Sequence, residues 1–326
     1  MRVLVIGAAG MIGRKLVERL LKDRTLRGKT VDGVVAVDLY APEFEDDEII
    51  IDNRAIDFGD VSQVPALIDM RPEVIFHLAA IVSGEAEDDF EKGYRINLDG
   101  TRALFEAVRE CENYKPRIVF ASSIAVFGAP FPEAITDDYH RTPLTSYGTQ
   151  KAISELLLTD FTRKGFFDGI GIRLPTIVVR PGKPNLAASG FFSNIIREPL
   201  SGQEAVLPVG PDVMHWAASP RAAVEFCIHA AQINGETVGP HRNITMPGVR
   251  ITTGRQLDAL RRLAGDKTAD LVREEPDEKI ISIVSNWPRN FEAKRAVELG
   301  FEAESDFDEI IRAHVEDELD GMWPER

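Results

Sequence analysis

The sequence has little cysteine, too few positive charges to balance its negative ones, and no long hydrophobic run. Only Cys111 and Cys227 occur in 326 residues. Neither stands in a C-x-x-C pair or at a metal-ligand spacing, and no His/Asp/Glu spacing suggests a metal site. Both lie in apolar stretches of helical character, so buried free thiols are expected, in keeping with a reducing, cytoplasmic compartment. Lysine and arginine number 38 against 53 aspartates and glutamates, a formal net charge of −15. An acidic surface repels phosphate backbones, which argues against nucleic acid as a partner while leaving room for a local cationic pocket. No stretch approaches the ~20 apolar residues of a membrane helix, so no membrane partner is expected. The opening MRVLVIGAAGMIG has a basic residue before an apolar run. Its glycines, and the charged amphipathic stretch after it, argue against a signal peptide. Repeats and low-complexity segments are absent too.

What is present is an ordinary globular composition, 44% apolar and 28% charged, over a length that allows one large domain or up to two at roughly 100–200 residues each. Through the first half, short apolar runs alternate with helical patterns. RVLVI, VDGVVAVDL, EVIFHLAA, RIVFASSIAVFG and GIGIRLPTIVVR read as strands; MIGRKLVERLL and LDGTRALFEAVREC read as helices. Continuous β-branched strands between helices predict a doubly wound α/β fold, a parallel sheet covered on both faces. After about residue 180 the pattern changes to a Pro-, Gly- and Asn-rich stretch with a short helix inside it. RNITMPG is positioned to add one strand to the sheet, and TTGRQLDALRRLAG is an amphipathic helix capped by Thr252 or Thr253. KIISIVS reads as a short strand and FDEIIRAHVEDEL as a last helix. The expected organisation is a nucleotide-binding domain over 1–180, its sheet completed by about 221–246. A smaller mixed α/β substrate lobe takes 181–220 and 247–326.

Three groups of residues carry chemistry. In RVLVIGAAGMIGRKL, Gly7, Gly10 and Gly13 separate a strand from a helix. The first permits a tight turn, the second lets backbone approach a pyrophosphate, and the third lets helix and strand pack closely. The helix start at Met11 and Ile12 then offers backbone N–H groups to phosphate. Asp38 ends the second strand, where a carboxylate accepts from ribose hydroxyls and repels a 2′-phosphate, so NAD is favoured over NADP. Finally, Tyr147 and Lys151 stand at i and i+4 on one helical face, and Ser122 and Ser123 end a strand upstream. A phenol of pKa about 10 is a poor base near neutrality. A nearby ammonium and an oxidised nicotinamide both favour the phenolate. Tyr147 would then take a proton from an alcohol that a serine hydroxyl holds in place.

The set GAAGMIG, HLAA, FASSIAVFG and YGTQK resembles the extended short-chain dehydrogenase/reductase family, which has a Rossmann fold and NAD as cofactor, and the resemblance covers nearly the whole chain. The resemblance implies Tyr147 as acid/base, Lys151 on the nicotinamide ribose and Ser123, rather than Ser122, on the substrate. It also implies adenine contacts at Asp57 and Phe58 and a cofactor loop at Leu78, Ala79 and Ala80. Asn97 would be a buried asparagine beside the cofactor, and the segment Pro175 to Ile177 would meet the carboxamide. A homodimer built through two helices of each subunit is likewise implied. Two departures stand out. Phe127 replaces a frequent tyrosine, and Ile124 and Ala125 stand where dehydratases carry acids, which argues against elimination chemistry.

The segments GIGIRLPTIVVRPGKPNLAASGFFSNIIREPL, HWAASPRAAVEF and NWPRNFEAKRAVELGF resemble members of that family that oxidise the C2 hydroxyl of a four-carbon sugar acid with NAD. A carboxylate substrate wants a cation and several polar partners. Arg180 is the first candidate and Lys183 the second, with Asn185, Ser189 and Ser83 facing the same region. His215 and Trp216 are positioned to line the pocket, although a core histidine is the simpler reading of His215. The alternatives are a nucleotide-sugar epimerase with tightly held NAD, and an NAD-binding protein without catalysis.

Overall fold

The computed structural model describes residues 1–182 and 189–324. The strands are β1 (Arg2–Ile6), β2 (Gly33–Asp38), β3 (Ile50–Ala55), β4 (Val74–His77), β5 (Arg117–Ser123), β6 (Asp168–Leu174), β7 (Thr176–Ile177), β8 (Met214–Ala218), β9 (Asn243–Thr245) and β10 (Val249–Thr252), beside a few shorter pairs. Seven of them form one sheet in the order β9-β6-β5-β4-β1-β2-β3, and every pairing is parallel. Successive strands leave β1 in one direction and then resume on its other side at β4. That reversal opens a crevice above the carboxyl ends of β1 and β4.

The helices are α1 (Met11–Asp23), α2 (Ser83–Asp88), α3 (Thr101–Glu110), α4 (Ser146–Arg163), α5 (Phe191–Leu200), α6 (Pro220–Gln232), α7 (Thr253–Ala264), α8 (Glu278–Val284) and α9 (Phe307–Glu318), with shorter turns and a π-helical segment, Tyr94–Gly100, besides. Strand periodicity sends Val3 and Val5 into the core under α1 and α6, and Leu4 and Ile6 into the core under α3 and α4. Burying both faces is what makes these strands read as continuous apolar runs. Phe105 on α3 is fully buried against Phe167 and Phe161, so Phe105→Ala would open a cavity worth about 3–5 kcal/mol. A second apolar core gathers Val178 and Val179, Phe192 and Ile195 of α5, Leu260 of α7 and Ile310 of α9. Beside it, β7, β8 and β10 form a small sheet, β7 parallel and β10 antiparallel to β8.

RNITMPG supplies β9, paired with β6, and Thr252 is the cap of α7, accepting from Arg255 N. KIISIVS differs from expectation: it lies in helix α8. Asp277 caps it by accepting from Lys279 N at 2.8 Å and Ile280 N at 3.2 Å. Ile280, Ile281 and Val284 all meet the second core, at a helical spacing that the short isoleucine run disguises. Cys227 is buried and Cys111 partly so, and both are free thiols. Among the described residues no helix is long and apolar enough to cross a membrane.

Helix α4 is the exception to amphipathic logic. It starts on Thr145, whose hydroxyl accepts from Gly148 N at 3.1 Å. It then turns Gln150, Lys151, Ser154 and Glu155 inward, all buried. Polar groups at core positions need partners or a purpose.

Candidate active site

At the crevice the chain turns from β1 into α1 through Gly7, which has φ +92°, the left-handed region that favours glycine. A Cβ there would sit 2.7 Å from Ala79 N, and one at Gly13 would sit 2.0 Å from Gly7 O. Side chains at these positions would push the turn away from the loop after β4 and from α1. Helix α1 has Gly10 as its N-cap, no side-chain cap and no acid in its first turn. Its leading N–H groups, from Met11 and Ile12 on, are therefore left for an external acceptor. This cradle fits a dinucleotide pyrophosphate.

Asp38, at the end of β2, leans over the same turn. Its carboxylate accepts from Ala9 N at 2.9 Å and from Leu39 N at 2.7 Å. Asp57 accepts from Gly59 N at 2.8 Å and pairs with Arg95 at 3.1 Å. Phe58 is buried against His77, ring centroids 4.8 Å apart. Leu78, Ala79 and Ala80 follow β4 and are partly exposed to the crevice. Asn97 pins this loop from below. It accepts from Ile81 N at 2.9 Å, and donates to Ile81 O at 3.2 Å and to Gln150 Oε1 at 2.8 Å. His77 is not a proton carrier here: burial pushes it down to about 3, and the Lys151 charge adds to that.

Ser123 ends β5 and Tyr147 opens α4, and a hydrogen bond from Ser123 reaches the phenol. Lys151 lies one turn further on, its Nζ 5.7 Å from the Tyr147 ring centroid and 2.8 Å from Ala121 O, to which it donates. The expected lowering of the phenol by this ammonium is not seen in the free protein. Burial pushes Tyr147 up to about 12, opposed by the Ser123 hydrogen bond and the charge of Arg180. Burial likewise pushes Lys151 down to about 7, with Glu155 opposing. A half-buried phenol and a buried ammonium each lean toward the neutral form until a charged ligand joins them.

Arg180 is thus near enough to Tyr147 for its charge to be felt at the phenol. Its Nε donates to Ile177 O at 2.8 Å and its Nη2 to Ser189 Oγ at 2.7 Å. Those bonds fix the guanidinium in place. Lys183 and Asn185 lie outside the described residues. Ser83 opens α2 and is partly exposed. Pro175 links β6 to β7, and Ile177 is buried. His215 is a core residue, stacked on Phe192 at 3.8 Å and bonded to Gln256 at 2.8 Å. Trp216 faces the opposite way, donating to Met246 O at 3.1 Å and packing with Ile124 and Ala152.

Ser122 points elsewhere. It donates to Glu155 at 2.6 Å, and the same buried carboxylate accepts from Arg173 at 2.8 and 2.9 Å and from Arg141 at 3.0 Å. Arg173 in turn lies 5.1 Å over the Phe127 ring, so the phenylalanine that departs from the family pattern is a platform for a buried cation. No motif or spacing marks Glu155, Arg173 and Gln150 in the sequence. The one available signal is a charged residue inside the apolar strand GIGIRL. Among the described residues, no group of three or more His, Cys, Asp or Glu side chains is arranged to hold a metal.

Comparison with known proteins bears on this geometry. Residues 3–221 match the NAD dependent epimerase/dehydratase family. The D-erythronate dehydrogenase of Cupriavidus necator is 45% identical, over 97% of this chain and 98% of that protein. The D-erythronate dehydrogenase of Haemophilus influenzae is 38% identical, over 97% of this chain and 99% of that protein. The crystal structure of a nucleoside-diphosphate-sugar epimerase from Agrobacterium tumefaciens is similar at a TM-score of 0.97 and 61% identity, covering 99% of this chain and 95% of that chain.

Proposed function

Since the chain belongs to the NAD dependent epimerase/dehydratase family and is an NAD-dependent dehydrogenase acting on a hydroxyl group, we propose that its alcohol is the C2 hydroxyl of a small sugar acid, D-erythronate, oxidised to 2-oxo-D-erythronate. NAD, when bound, supplies the hydride acceptor. Gly7, Gly10, Gly13 and the start of α1 hold the pyrophosphate, and Asp38 holds the adenosine ribose. Lys151 holds the nicotinamide ribose, its charged form favoured by Glu155. Ser123 orients the substrate hydroxyl, and Tyr147 takes its proton as the C2 hydride departs and the carbonyl forms. Residues 181–220 and 247–326 form the substrate lobe in this reading.

The observation that carries the substrate class is the position of Arg180, close enough to Tyr147 for its charge to bear on the phenol. In a 2-hydroxy acid the carboxylate is bonded to the carbon that is oxidised, so its cation must stand next to the proton acceptor. A nucleotide sugar carries its negative charge on a diphosphate several bonds from the reacting carbon, and has no use for a guanidinium there. The epimerase reading remains the second, favoured by the likeness to the nucleoside-diphosphate-sugar epimerase of Agrobacterium tumefaciens.

One experiment separates them. Four- to six-carbon aldonates are offered with NAD⁺ and NADH absorbance is followed. Steady NADH production on D-erythronate is expected. Arg180→Ala should raise KM for the acid by roughly 10- to 100-fold, the worth of a charge-assisted contact. No NADH from any aldonate, together with isomerisation of a UDP- or GDP-sugar, overturns the proposal in favour of the epimerase.

A further inference from the structure

We propose that the opposite end of the sheet carries a second ligand site, built for a small polyanion bearing phosphate or several carboxylates. The reaction site lies above the carboxyl ends of β1, β4, β5 and β6. Below their amino ends lies a cavity of about 280 Å³, close to the small end of the range for ligand pockets. Strands of this length, at about 3.3 Å per residue, keep the two sites roughly 15–20 Å apart.

The lining is strongly cationic in a chain whose net charge is −15. Arg27, Lys29, Arg71, Lys115 and Arg117 all face the cavity, against the carboxylates of Glu73 and Asp168. Lys29 pairs with Glu73 at 2.5 Å and Arg117 with Asp168 at 2.8 Å. The other three have no carboxylate partner among the described residues. Arg27 is held by Ala231 O at 2.8 Å and Arg71 by Glu112 O at 3.1 Å. Lys115 is exposed and makes no hydrogen bond or ion pair among the described residues. Two of the cations are also held in left-handed backbone, Arg27 at φ 54° and Arg71 at φ 48°, a region that L side chains enter rarely.

Arg117 adds an independent sign. It is 3% exposed, yet its Nε has no hydrogen-bond partner. Burial pushes its guanidinium down to about 10; Asp168 opposes this, while Arg27 and Arg242 add to it. A buried arginine crowded by like charges is relieved by a bound anion. The planar guanidinium groups match phosphate and carboxylate alike, with Lys115 as a point charge at the rim. A cation would meet net repulsion there, from five cationic side chains against two carboxylates.

The test uses the full chain saturated with NAD, so that the phosphate cradle at Gly7 is filled. Sodium pyrophosphate is titrated in by calorimetry, then citrate in a separate run. One saturable site per chain is expected with at least one of the two. Preference for pyrophosphate assigns phosphate esters, and preference for citrate assigns polycarboxylates. Arg71→Ala with Lys115→Ala should weaken binding by roughly tenfold or more. A charge-matched control, Arg163→Ala with Lys294→Ala on remote surfaces, should leave it unchanged. KM for NAD should be unaffected in both. No saturable binding up to roughly 10 mM, a free energy too small to matter in a cell, overturns the proposal. So does an equal loss in the control pair.

Discussion

Ser122 and Ser123 are neighbours at the end of β5, yet they belong to different polar environments. Ser122 donates into a sealed network around Glu155, where two carboxylate oxygens accept four bonds, from Ser122, from Arg173 twice and from Arg141. That matches the acceptor capacity of a carboxylate, and nothing is left over for a ligand. Ser123 faces Tyr147, with Lys151 and Arg180 close enough for their charges to bear on the site. Here the charges do not balance, and burial shifts Tyr147 and Lys151 toward neutrality. The contrast separates two uses of buried polarity. A satisfied network joins β5, β6 and α4 into one body; an unsatisfied one suits the charged cofactor and the anionic substrate of the proposed function.

Tyr147→Phe tests the open side and carries the largest expected effect. In the proposed mechanism this removes the proton acceptor and should lower kcat by about 10²–10⁴-fold. The melting temperature should stay close to wild type, because the phenol supports no structural network. A variant that kept most of its turnover would remove Tyr147 from the mechanism. Glu155→Ala tests the sealed side. It leaves Arg173 buried without its counter-ion, and breaking such a pair from one end destabilises by about 3–5 kcal/mol. Urea denaturation reads this directly. A loss below about 1 kcal/mol would mean that the network is no more than surface-like in strength.

The two sides are not equally legible in the sequence. The glycine turn, Asp38, Ser123, Tyr147 and Lys151 follow from strand ends and helical spacing, which are local. The structure brings Ser123, Tyr147, Lys151 and Arg180 together from β5, α4 and the segment after β7. The Glu155 network is hidden because its partners come from distant places in the chain and no spacing rule links residues 141, 155 and 173. The preference for Ser123 over Ser122 rests, in the sequence, on resemblance; that Ser122 is committed to Glu155 appears only in three dimensions. KIISIVS misleads because a short isoleucine-rich run fits either period, and the deciding signal is the Asp277 cap just before it.

Lys151 sits between the two sides, and pH reveals which one holds it. Burial pushes it down to about 7 in the folded chain, whereas an unfolded lysine titrates near about 10.4. Between about pH 7 and pH 10 the unfolded chain holds a proton that the folded chain lacks, so this residue makes stability rise with pH across that window. Lys151→Met removes the slope. In thermal denaturation without NAD, wild type should gain on the variant between about pH 6 and pH 9. Parallel curves would show that Lys151 keeps its proton and that Glu155, through α4, outweighs burial.

The smallest effect is expected at Phe127, which lies under Arg173 and is 2% exposed. Its ring packs 6.1 Å from Tyr139 and 5.8 Å from Phe291. Phe127→Tyr restores the side chain frequent in the family and places a hydroxyl among apolar neighbours and a guanidinium that is already engaged. An unpaired buried hydroxyl costs about 1–3 kcal/mol, while kcat should stay within about twofold because no second phenol reaches the alcohol. If turnover rises by roughly tenfold or more instead, the hydroxyl is reaching the substrate. The boundary between the sealed network and the open site would then run through Phe127 rather than between the two serines.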